Sequence, residues 1–128
     1  MVDSYRDLVA WQKAMTLVVE IYSVTGLLPD SEKFGLASQL RRAAVSVPSL
    51  LAEGHARSGT KEFARYVSMA MGSMAEIETQ LLISIRLRYL EEQSLSQLFD
   101  ACGEIGRILR GLKKSLESNL AATSRITP

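Results

Sequence analysis

The sequence predicts an all-α fold, an antiparallel up-down-up-down four-helix bundle. Three observations carry that expectation. Apolar residues recur at three- and four-residue spacing through four separate stretches. Short connections rich in Gly, Pro, Ser and acidic residues join these stretches, which forces neighbouring helices antiparallel. No stretch alternates apolar and polar residues as a half-buried strand would. The 128 residues are 47% hydrophobic but only 6% aromatic, so Leu, Ala, Val and Met must supply the core of a single domain. Residues 1–120 read as that domain and 121–128 as a flexible polar tail.

The first helix is predicted over Ser4–Thr25. Ser4 with Asp7 resembles a capping box, and Leu8, Trp11, Met15, Val18 and Tyr22 form one face. Gly26 ends it, and Leu27-Leu28-Pro29-Asp30 turns the chain. The second helix is expected from Ser31, with Asp30 or Ser31 as N-cap, to Gly54–Arg57. Its stripe is Phe34, Ala37, Leu40, Ala44, Val47 and Leu51. Pro48 lies within it and removes one backbone hydrogen bond, which predicts a kink rather than a stop.

Ser58-Gly59-Thr60 is the reversal, with Thr60 as N-cap. The third helix then follows the heptad Phe63, Val67, Ala70, Met74, Ile77, Leu81 to about Tyr89. Ser94 with Gln97 reads as a capping box for the fourth helix, whose seam is Leu95, Leu98, Cys102, Ile105, Leu109, Leu112 and Leu116. Gly72, Gly103 and Gly106 read as small residues that let helices approach closely. Tyr66, Met69 and Met71 on helix three, with Val9, Val19 and Ile21 on helix one, leave apolar groups off the main seams. This second face predicts self-association.

Composition excludes several function classes. Net charge is +1, so a nucleic-acid role needs a local patch; residues 31–60 and 94–128 each carry +2. A single cysteine, Cys102, rules out an intrachain disulfide and fits a reducing cytosol. The start of the chain lacks the pattern of a secretory signal, and no apolar run is long enough to span a membrane, so the protein is expected in the cytoplasm. With one histidine, His55, and one cysteine, neither a zinc site nor a di-iron site can be assembled. There is no GxxxxGKS/T and no GxGxxG loop. No catalytic residue, metal, cofactor or small-molecule substrate is therefore expected.

The remaining candidates are basic. Arg41 and Arg42 point about 100° apart on a helix, so one is expected to be tied structurally and the other to remain available. A turn centred near Ser58 sets Arg42 opposite Glu76, a candidate ion pair across the hairpin. Glu53 and Arg57 are spaced for an i, i+4 pair. On helix four Arg107, Arg110 and Lys114 share a face with Lys113 on its flank. With Arg57, Lys61 and Arg65 these are the candidate phosphate-binding residues.

The run Leu8, Trp11-Gln12, Ala14, then Leu28-Pro29, Glu32 to Leu36, Gln39 to Pro48, Ala52-Glu53-Gly54, Arg57, Glu62-Phe63, Ala70 to Ser73 and Glu76 resembles the family of 23S rRNA-intervening-sequence proteins. It covers about the first two thirds of the chain. The resemblance implies a cytosolic bacterial four-helix bundle that closes into a homopentamer. The chain is also similar to the accessory variability proteins of diversity-generating retroelements, which implies work alongside RNA. One position departs: Leu50 stands where the family usually has asparagine, so a polar contact is lost there or replaced by packing. The combined expectation is a non-enzymatic homo-oligomer that binds RNA. The alternative is a protein–protein assembly module without nucleic-acid binding.

Overall fold

The computed structural model describes residues 4–57 and 59–126; Ser58 of the expected reversal and the last two residues of the expected tail lie outside them. Among the described residues there are four α-helices: α1 Val9–Thr25, α2 Leu36–Ala56, α3 Thr60–Arg86 and α4 Ser96–Ile126. Short 3-10 turns precede α1, α2 and α4, at Tyr5–Asp7, Asp30–Glu32 and Gln93–Leu95. Among the described residues the backbone of each helix lies against two others, α1 against α2 and α4, and α3 against α2 and α4, with the diagonal pairs farther apart across the core. The fold is the expected all-α four-helix bundle.

The core follows the seams of α2, α3 and α4. Leu40, Ala44, Val47 and Leu51 meet Val67, Ala70, Ile77 and Leu81 from α3 and Cys102, Ile105 and Leu109 from α4. Leu50 packs half-buried against this cluster, so packing takes the place of a polar contact there. The α-helix continues through Pro48.

The seam of α1 differs. Its buried residues are Ala10, Ala14, Leu17, Ile21 and Thr25, one position out of phase with the expected stripe. Met15 and Tyr22 stand exposed, and Ile21, expected on the outer face, is fully buried. This helix is apolar nearly all round, so periodicity allows more than one seam. Packing selects the one with two alanines, which permits close approach. Tyr66, also expected outside, is buried against Gly54. A Cβ at Gly54 would sit 2.5 Å from that of Tyr66, so this glycine is the close approach. At Gly72 a Cβ would meet nothing, and at Gly103 and Gly106 only the chain's own arginines.

The helix starts also differ, and they matter for the surface. Ser4 accepts from the Arg6 amide and caps only a 3-10 turn. Leu8 is then extended (ψ 124°), so α1 begins at Val9. Glu32 Oε1, not Asp30 or Ser31, accepts from the first amide of α2 at Leu36, and Phe34 is left in the preceding turn. Gly59 (φ 104°) occupies the N-cap position expected for Thr60, a backbone conformation that a side chain would strain. Ser94 donates to the Glu91 carbonyl instead of closing a box with Gln97. Helix α3 ends at Arg86 in a Schellman arrangement. Arg88 is left-handed (φ 64°), and the amides of Arg88 and Tyr89 donate to the carbonyls of Ile85 and Ser84. Helix α4 runs on to Ile126, through the stretch read as a tail from Ala121.

Candidate nucleic-acid interface

The candidate cations fall into three groups. On α2 the adjacent arginines part company. Arg41 Nε donates to Thr25 Oγ1 at 2.8 Å, and its guanidinium lies 4.6 Å above the Tyr22 ring, which clamps α2 to α1. Arg42 is exposed. It shares a groove with Glu76, but the two form no ion pair. The Glu76 carboxylate instead accepts from Gln80 Nε2 at 3.2 Å, and that amide also donates to Gln39 Oε1 at 3.2 Å. A surface ion pair is worth little, so Arg42 loses nothing by staying in water. The tied arginine is Arg41 and the open one Arg42.

The second group sits where α2 meets α3. Arg57 Nη2 lies 3.6 Å from Glu53 Oε2, and Arg65 Nη2 lies 3.2 Å from Glu62 Oε2. Both guanidiniums also stack on one ring, Arg57 at 5.1 Å and Arg65 at 4.9 Å from the Tyr66 centroid. The hydrogen bond and charge of Arg65 outweigh desolvation and hold the Glu62 carboxyl below its usual range. The Glu53 carboxylate and burial hold the Tyr66 hydroxyl above its own. Arg57 and Arg65 thus each have an acidic partner and a ring contact within the subunit although their side chains are about half exposed, and Lys61 stands exposed beside them.

The third group is on α4. Arg107, Arg110, Lys113 and Lys114 take part in none of the ion pairs among the described residues. The Arg107 and Arg110 side chains lie back along the helix, each Nη1 over the glycine one turn before it, Gly103 and Gly106. Arg110, Lys113, Lys114 and Glu117 line an open groove of about 500 Å³ floored by Met71 of α3.

This groove is open because α1 is short. Lys13 pairs with Glu104 at 2.8 Å, which marks the register of α1 against α4. The start of α1 at Val9, four residues before Lys13, then lies about level with Ile108. With 1.5 Å per residue, α4 spans about 46 Å and α1 only about 25 Å. The described 3-10 turn at Tyr5–Asp7 packs on α2 and does not extend the cover. From Arg110 onward α4 has α3 on one side and no α1 on the other. Sequence reasoning placed the basic stripe correctly on one face but not its openness, which depends on Leu8 breaking the helix.

No other chemistry converges. Cys102 is fully buried, and desolvation, helped by Glu78 and Glu20, pushes its thiol up to about 12, far from a nucleophilic thiolate. His55 lies edge-on to Phe63 at 5.6 Å. Among the described residues no three His, Cys, Asp or Glu side chains come together as a metal cage, and no helix is long and apolar enough to cross a membrane.

The comparisons with known proteins agree with this fold. A crystal structure of a protein with unknown function, from the S23 ribosomal protein family of Bacteroides thetaiotaomicron, superimposes with a TM-score of 0.76 at 21% identity, over 83% of this chain and 96% of that one. The comparison with curated proteins gives no match. The family model described as 23S rRNA-intervening sequence protein matches residues 6–111, from the first 3-10 turn to the middle of α4. Neither relative points to an enzyme family. By that match the chain belongs to the 23S rRNA-intervening sequence protein family.

Proposed function

We propose that this protein is a non-enzymatic, homo-oligomeric accessory protein of the cytoplasm that grips structured RNA with the basic face of α4. One observation carries the reading: Arg110, Lys113 and Lys114 gather without ion-pair partners along an open groove, with Arg107 one turn away. Unpaired cations in a row cost the free protein some self-repulsion, which phosphate oxygens relieve while releasing condensed counterions. The groove presents no aromatic ring, so phosphate positioning and helix shape dominate over base readout. The family's description, which names an intervening sequence of 23S rRNA, lends further support.

Repetition around an oligomer would multiply a patch that is modest in one subunit; five subunits is the number the family resemblance implies. Val9, Val19 and Met69 remain exposed as the self-association reading needs, whereas Ile21 and Tyr66 are buried. The second reading, an assembly module that contacts only protein, draws on a different surface. Leu82, Ile83 and Leu87, all exposed near the end of α3, suit an apolar partner.

A gel-shift titration with structured RNA at two salt concentrations separates the readings, on protein whose subunit count is fixed by light scattering. Binding through α4 should weaken steeply with salt, with a log–log slope of about −0.7 to −0.9 per phosphate neutralised. No binding at low salt would leave the assembly module as the better reading.

A further inference from the structure

We propose that a second surface, the groove between α1 and the start of α2, seats unpaired nucleotides of single-stranded RNA. The proposal rests on the nucleic-acid reading above but uses different residues. Tyr22, Lys33, Phe34, Arg41, Arg42 and Val45 line this groove of about 440 Å³. That volume falls inside the roughly 300–1,000 Å³ typical of sites for small ligands. Three cations face it and no carboxylate lines it, so its occupant carries negative charge.

Its two rings specify the rest. Phe34 is 90% exposed, an extreme value for a side chain that gains by leaving water. Its exposure is built into the turn. Glu32 braces that turn: Oε1 accepts from the Leu36 amide at 3.1 Å, and Oε2 accepts from the hydroxyl of Tyr89, beyond the end of α3, at 3.0 Å. A Cβ at Gly35 would strike Glu32 Oε1 at 2.5 Å, so glycine keeps room for this brace. Phe34 is therefore presented on a braced turn. Within the same groove the Arg41 guanidinium is held over the Tyr22 ring by its bond to Thr25. Its outer face is a second flat platform, and guanidinium planes stack on bases as rings do. The backbone under Phe34 and the Arg41 guanidinium are both held by bonds within the protein, which lowers the entropy cost of binding.

An occupant with flat faces and phosphates at regular intervals meets both demands. A base stacks on Phe34 or Arg41, and the neighbouring phosphates meet Lys33 and Arg42. A second copy of the chain docked two-fold on this groove would bring two sets of the same three cations together without counter-charge, and a ring neighbour covering it with a different face is detected by the molar mass of each variant. A duplex keeps its bases stacked inside and cannot use Phe34. The groove thus gives the protein a preference for unpaired segments that the α4 face lacks.

Fluorescence anisotropy with a short oligouridine and a blunt RNA duplex tests this, together with light scattering on each variant. Phe34→Ala leaves the core untouched. It should weaken oligouridine binding at least about five-fold, the low end for loss of one base–aromatic stack, and leave duplex binding and molar mass unchanged. Phe34→Tyr, which keeps the ring, should bind oligouridine as the wild type does. If Phe34→Ala binds oligouridine like the wild type, the groove assignment is wrong, while duplex binding that is lost in Arg107→Glu/Arg110→Glu would keep the α4 reading intact. A loss shared by strand and duplex, with a fall in molar mass, would make the groove a contact between copies and overturn the proposal. If the wild type binds neither probe, both readings fail together.

Discussion

The corner where α2 meets α3 and the outer face of α4 contain the same kinds of residue and treat them oppositely. At the corner Arg57 and Arg65 are paired with Glu53 and Glu62 and stacked on one buried tyrosine. On α4 Arg107, Arg110, Lys113 and Lys114 form none of the ion pairs among the described residues; the last three line an open groove with Glu117, and Arg107 lies one turn away. The difference does not come from local charge density. It comes from neighbours: Gly54 lets Tyr66 close against α2, whereas the late start of α1 leaves half of α4 with α3 on one side and no α1 on the other. A basic residue becomes available for a ligand where the fold withholds a partner.

Several substitutions would break or sharpen this contrast. The largest effect is expected from Gly54→Ala. Its added methyl would sit 2.5 Å from the Tyr66 Cβ, an atom fixed to the backbone. Overpacking of this kind costs about 1–3 kcal/mol, so thermal unfolding should move to clearly lower temperature. RNA affinity of the folded variant should be unchanged, because the corner is not the binding face. Gly72→Ala is the opposite case. A Cβ there meets nothing within 4 Å, so the change should stabilise α3 by about 1 kcal/mol through helix propensity alone. Destabilisation measured by denaturant titration would mean that another molecule covers this helix face.

A smaller effect concerns pH. Glu62 is held below the usual carboxylate range, so its pairing with Arg65 stabilises the fold above that range. This contribution disappears as pH falls from the ordinary carboxylate pKa through the lowered one. Arg65→Gln should therefore be slightly less stable than the wild type at neutral pH, with the gap closing in acid and in high salt. Urea titrations across that pH range would detect a gap that persists. Cys102 offers a complementary check on the core. Its raised thiol pKa and full burial predict that a thiol reagent labels it only when the bundle opens.

Much of the fold is legible in the sequence because α3 and α4 each carry one main seam: Val67, Ala70, Met74, Ile77 and Leu81, and Leu95, Leu98, Cys102, Ile105 and Leu109, are buried as expected, while Phe63, Leu112 and Leu116 at the seam ends are half-buried. Helix α1 is not legible in the same way. With apolar residues over most of its circumference it satisfies several seams, and only packing chooses the one through Ala10 and Ala14. The helix starts were misread for a related reason. Ser4 and Ser94 have capping chemistry, but Ser4 caps a 3-10 turn and Ser94 bonds back to Glu91, while a glutamate side chain caps α2. These small shifts decide the surface. The extended Leu8 opens the α4 groove, and the start of α2 at Leu36 leaves Phe34 outside. Of the two adjacent arginines, spacing shows that one is committed; only the positions of Thr25 and Tyr22 show that it is Arg41.

The most direct test sets the two basic regions against each other in one assay. Affinity for structured RNA is measured against salt for the wild type, for Arg107→Glu/Arg110→Glu and for Arg57→Gln/Arg65→Gln, with light scattering on each. If α4 is the binding face, the first variant loses binding while its molar mass is unchanged. The second keeps its affinity and its salt slope, because those arginines are already engaged within the subunit. Survival of binding in the α4 variant, or its loss only in the corner variant, would contradict the assignment.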